Sequence, residues 1–161
     1  MSKSGTAMKT AQSGASDSPK SAMSDAAIAY GLLRLTMGIN IALHGISRQI
    51  AGQAAFLAYL NHYFEKTPLI PKESLPLFAF TIMWAETIFG LLMMVGLFTR
   101  VALIGGGLVI AMLAVGSNLA QDWGIAGLQL TYALIYYFLL KNREQLNGLS
   151  IDGWRKKPPE Q

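Results

Sequence analysis

The chain has 161 residues, of which 52% are hydrophobic and only 14% charged, against about 25% charged in an ordinary soluble domain. The first 25 and last 21 residues hold 13 of the 22 charged side chains, so the long middle stretch cannot clothe the outward faces of a water-soluble fold. Cysteine is absent; by itself the chain forms no disulfide, no thiolate-held iron–sulfur cluster and no CxxC redox pair. The net charge of +4 reads as the orientation signal of a hydrophobic chain and not as a nucleic-acid footprint.

Residues 1–25 are rich in Ser, Ala and Lys and contain no apolar run, which predicts a disordered cytoplasmic tail. Residues 26–46 follow as a first apolar segment, long enough as a helix to extend roughly 31 Å and cross a bilayer. The next stretch, 47–77, carries Phe56, Tyr59, Leu60 and Tyr63 at i, i+3, i+4, i+7 spacing. This predicts a short amphipathic helix over about 51–65, lying on the membrane surface or capping the bundle. Segments 78–97, 101–119 and 124–140 supply three more spans, the last bracketed by Trp123 on one side and Lys141 and Arg143 on the other. Residues 141–161 read as a basic cytoplasmic tail. The fold class is therefore all-α, a four-transmembrane-helix bundle with one amphipathic helix in the loop between spans one and two.

Basic residues decide the orientation. Nine of the thirteen (Lys3, Lys9, Lys20, Arg100, Lys141, Arg143, Arg155, Lys156, Lys157) fall on one side, and Arg48, Lys66 and Lys72 on the other. The positive-inside rule then places both termini in the cytoplasm and the 47–77 loop outside, in a multi-pass membrane protein.

Two charges remain within the spans, Arg34 and Glu86. Each costs roughly 2.5 to 3.5 kcal/mol near the bilayer centre unless neutralised. Gly31, Arg34, Gly38 and Gly45 share one stripe of span one, and Ala79, Met83, Glu86, Gly90 and Met93 one stripe of span two. Small residues on both stripes let the helices approach closely, so an Arg34–Glu86 ion pair is expected, serving either helix packing or charge placement beside a substrate. Further outward, Asn40, His44, Trp84, Asn118 and Gln129 are candidates for a pocket open to the exterior. There His44 can transfer protons, and the amides can hydrogen-bond quinone carbonyls or sulfur oxyanions. Together Arg34, Glu86 and His44 are the candidate catalytic groups. The two histidines have no metal-binding spacing, so no metal site is expected, and the glycine run 105–107 reads as helix packing.

Residues 32–48 (LLRLTMGINIALHGISR), 84–102 (WAETIFGLLMMVGLFTRVA) and 149–154 (LSIDGW), in this order, resemble the DoxX/DoxD-like membrane family. That resemblance implies a small four-helix inner-membrane protein with recurring polar positions at Arg34, His44, Arg48, Glu86 and Arg100. Arg48 stands where a lysine is common, and Gln129 where some members carry an acidic residue. Some members of the family are the small subunit of thiosulfate:quinone oxidoreductase. The resemblance therefore implies a subunit of a quinone-linked oxidoreductase, with quinone as the borrowed cofactor. No DoxA-like domain is fused within these residues, so a separate partner chain is expected. The alternatives are a non-catalytic membrane anchor or assembly protein, and a small transporter, which would need a homo-oligomer. The lipid bilayer is the expected environment throughout.

Overall fold

The computed structural model of the protein describes residues 24–155; most of the expected N-terminal tail and the last six residues lie outside that range. Ser24 begins the first helix as an N-cap, its hydroxyl accepting from the Ala27 amide at 3.3 Å. Helix α1, Asp25–Ala51, is 27 residues long and runs five residues beyond the expected end of span one. At Gly52 the chain takes φ 91°, a value that only glycine adopts without strain. The turn it makes leads straight into α2, Gln53–Tyr63.

A short helix thus occupies the loop, two residues shorter at each end than the expected 51–65. Phe56 and Leu60 are buried in it, as is Phe64 just beyond. Tyr59, expected on the same face, is half exposed, and Ala54, Ala55 and Ala58 are exposed along with Asn61 and His62. A single 3₁₀ turn, Lys72–Ser74, then leads into α3, Leu75–Val95, with Pro76 in its first turn where a missing N–H costs nothing. Helices α4, Thr99–Leu119, and α5, Trp123–Leu146, complete the bundle. Asp122 caps α5, accepting from the Ile125 amide at 3.1 Å. The last helix continues six residues past the expected end of span four, and the chain then turns back into a five-residue helix α6, Ile151–Arg155.

Among the described residues every element is helical, and four helices are long and apolar enough to cross a membrane. Helix α1 packs chiefly on α3, α3 also on α4, α4 on α5, and α5 back on α1, closing a ring of four. Leu32, Leu43, Phe80, Ile88, Leu108, Val115, Leu130 and Leu134 face outward and exposed, an apolar girdle that suits a bilayer environment and would not be tolerated on a soluble monomer.

The α1–α3 contact is the tightest. All the residues of both expected stripes are buried. A side chain on Gly90 would place its Cβ 2.3 Å from the Ala42 backbone nitrogen, and one on Gly45 would meet Thr87 Oγ1 at 2.3 Å. Close backbone approach of this kind is how small residues hold membrane helices together. The glycine run of α4 also serves packing: Gly105 receives the Phe89 ring of α3 and Gly106 the Tyr136 hydroxyl of α5, each 2.3 Å from where a Cβ would sit.

Candidate functional site

Beneath α2, between the ends of the four long helices, lies a cavity of about 250 Å³. Three successive turns of α1 present Asn40, His44 and Arg48 to it, an i, i+4, i+8 spacing that puts all three on one helix face. Glu86 enters from α3, Ser117 from α4, and Gln129 and Tyr132 from α5, while Phe56, Tyr59, Leu60 and Tyr63 of α2 form the roof. Ile41, Ile110, Leu113 and Leu128 supply apolar wall.

Arg48 is the charged centre of this arrangement. Its guanidinium donates to the Glu86 carboxylate and lies 4.6 Å above the Phe56 ring, so one side chain joins α1, α2 and α3. Glu86 is 2% exposed, and among the described residues Arg48 is its one ion-pair partner. Gln49, one residue on, donates to Thr87 Oγ1 at 2.8 Å and fixes the same stretch of α1 against α3.

The polar atoms further in are not all satisfied. The Asn40 Nδ2 donor and the Gln129 Oε1 acceptor are buried without a hydrogen-bond partner among the described residues, and Gln129 as a whole is 8% exposed. Leaving such groups unpaired costs roughly 1 to 3 kcal/mol each. A rotation of either amide presents donor or acceptor to the same point. His44 Nδ1 lies 2.8 Å from the Asn40 carbonyl; the N–H donates there, so the neutral ring keeps Nε2 as an acceptor.

At the roof, the Tyr63 hydroxyl donates to Asp122 Oδ2 at 3.1 Å, tying α2 to the cap of α5. Burial of the phenol, reinforced by the adjacent Asp122 carboxylate, holds Tyr63 above the usual tyrosine range.

The expected Arg34–Glu86 pair does not form. Arg34 is 3% exposed, but its guanidinium donates to backbone carbonyls: to Met93, to Met94 at 3.2 Å and to Leu149 at 2.6 Å. Met93 lies seven residues beyond Glu86, about 10 Å along the helix. At that end α3 closes on Gly96, whose left-handed φ of 67° lets the Gly96 and Leu97 amides return to Met93 and Leu92. Its last carbonyls carry the negative end of the helix dipole, and the Arg34 cation is drawn to them.

The chain after α5 completes this clasp. Asp152 accepts from the Phe98 amide at 3.0 Å and the Thr99 amide at 2.6 Å, capping α4. Asn147 donates to Thr99 Oγ1 at 3.0 Å. Partial burial pushes the Asp152 carboxyl up, but the Thr99 and Phe98 hydrogen bonds and the nearby Arg143 outweigh it and hold the group below the usual carboxylate range. Residues 141–155, expected as part of a tail, are therefore helix and clasp.

Of the candidate residues, the structure brings His44, Asn40, Gln129 and Glu86 to one cavity. Arg34 sits at the opposite end of the bundle. Trp84 is 46% exposed on the outer face of α3, and Asn118 is exposed with its amide donating to the Ala114 carbonyl at 2.7 Å; neither lines the cavity. Ser117 and Tyr132 line the cavity without having been singled out as site residues from the sequence, and Arg48 and Tyr63, noted there as a recurring polar position and as part of the amphipathic loop helix, were not assigned to the pocket. No set of three or more His, Asp or Glu that could hold a metal ion occurs among the described residues. Neither protein-family models, nor curated proteins, nor solved structures give a match to this chain.

Proposed function

We propose that this chain is a DoxX-like inner-membrane protein whose α2-roofed cavity binds the headgroup of a lipid-soluble quinone, as the quinone-facing subunit of a membrane oxidoreductase. In this reading both chain ends are cytoplasmic, α2 lies at the outer membrane surface, and thiosulfate or a related donor is oxidised on a partner chain. The observation that carries it is the pair of unpartnered buried amide atoms, on Asn40 and Gln129, in a cavity walled mainly by aromatic and aliphatic side chains, with His44, Ser117 and the Arg48–Glu86 pair as its other polar groups. Ring-shaped ligands with two polar edges are held by this combination of apolar contact and a few placed hydrogen-bonding groups.

The residues divide the work. Asn40 and Gln129 hold the polar edges of the ring; because each amide offers both a donor and an acceptor, they serve a carbonyl and a hydroxyl equally. His44, which lines the cavity, takes or gives a proton there through Nε2. Arg48, paired to Glu86, keeps a positive charge beside the ring without leaving Glu86 bare. Quinone, when bound, supplies two-electron, two-proton acceptor chemistry; electrons reach it from the partner.

The test is native mass spectrometry of the protein extracted from its membrane in nanodiscs. The reading expects bound quinone and a companion chain; protein that carries neither, and takes up no added short-tail quinone, overturns it.

A further inference from the structure

At the end of the bundle opposite the α2 cavity, the clasp gathers three arginines around one surface cavity of about 300 Å³. Arg100 comes from the first turn of α4, Arg143 from the last turn of α5, and Arg155 from the end of α6, with Phe98 and Val101 as apolar wall. These three elements meet because Asp152 caps α4 and its own amide donates to the Gly96 carbonyl at 3.0 Å. Asp152 also lines the cavity, yet both of its oxygens are committed to the Phe98 and Thr99 amides. Glu144 engages Arg143 at 3.0 Å. Among the described residues Arg100 and Arg155 enter no ion pair, so the cavity is positively charged.

We infer that this cavity is a binding site for the headgroup of an anionic phospholipid. Guanidinium groups recognise phosphate oxygens through paired N–H donors, and basic pockets at the ends of membrane helices are suited to anionic headgroups. The apolar side of the site continues into lipid-facing surface: Val101, Ile104 and Leu108, on one face of α4, are all exposed and offer a track for the acyl chains. A soluble anion gains nothing from that track. The site is independent of the quinone reading, since it shares no residue with the α2 cavity.

The experiment is lipid competition on the purified full-length chain, read by native mass spectrometry. The chain is incubated with equal amounts of phosphatidylglycerol and phosphatidylcholine, with and without a millimolar excess of inorganic phosphate. The wild type is expected to retain phosphatidylglycerol at least about tenfold over phosphatidylcholine, and phosphate is expected not to displace it. Arg100→Gln/Arg155→Gln should abolish the preference. Lys66→Gln/Lys72→Gln, which removes the same charge from the other end of the bundle, should leave it intact. Equal retention of the two lipids by the wild type, a preference that survives in Arg100→Gln/Arg155→Gln, or an equal loss in both variants overturns the proposal. Displacement by inorganic phosphate replaces the lipid with a free anion and overturns it too.

Discussion

Arg48 and Glu86 close an ion pair across the α1–α3 seam, with the carboxylate 2% exposed and the guanidinium side chain 24% exposed. Removing Arg48 strands a buried carboxylate, whereas removing both charges leaves only a small gap. We expect Arg48→Met to cost about 3 kcal/mol, at the low end for a buried pair because Arg48 keeps some contact with solvent. Arg48→Met/Glu86→Gln should recover most of that loss. Denaturant titration of the purified protein in detergent measures both.

The seam beneath that pair tolerates no added atoms at Gly90, where a Cβ would lie 2.3 Å from the Ala42 backbone nitrogen. Backbone cannot swing aside as a side chain can. Gly90→Ala should therefore destabilise the bundle by about 1 to 3 kcal/mol. Gly127 in α5 has nothing within 4 Å of its Cβ position, and Gly127→Ala should instead be neutral or stabilising by up to about 1 kcal/mol. Thermal unfolding of the two variants side by side is the check.

Arg34 holds the turn after α3 to the chain after α5 through the Met93, Met94 and Leu149 carbonyls. Arg34→Gln should cost about 3 kcal/mol, the scale of hydrogen bonds to a charged group. Its signature should be local: faster hydrogen exchange of the amides at 96–99 and 147–154, with the α2 end unchanged.

Asp152 gives the same clasp a pH dependence. Its carboxyl titrates below the usual range in the folded chain, so the stability it contributes is present above its unfolded pKa of about 4 and is lost as pH falls through the folded value. Hydrogen exchange at the Phe98 and Thr99 amides, corrected for the intrinsic rate, should rise on acidification in the wild type. Asp152→Asn, which has no carboxylate to lose, should show no such step.

The helix plan and the stripes on α1 and α3 were legible because burial in a bundle follows the 3.6-residue period. The same period also contained the correction for two site residues. Trp84 falls in line with Phe80 and Ile88 on the exposed face of α3, a quarter-turn or more from Met83 and Glu86. Asn118 is rotated about 100° from Ser117, which is the residue that lines the cavity. Arg48 stood among the recurring polar positions, but a span ending at 46 puts it beyond the helix; with α1 running to Ala51 it continues the Asn40, His44 face. The partner of Arg34 could not be read from spacing at all. Axial register between antiparallel helices depends on where each truly ends, and its acceptors are main-chain carbonyls with no sequence signature.

The affinity of the purified protein for a short-tail quinone decides whether the α2-roofed cavity holds a quinone headgroup through Asn40 and Gln129, as proposed. Saturable binding is expected, weakened about tenfold by Gln129→Leu, as the loss of a buried hydrogen bond implies. Asn118→Ala, whose side chain lies outside the cavity, should leave binding unchanged. No saturable binding by the wild type, or an equal loss in the two variants, would contradict that proposal.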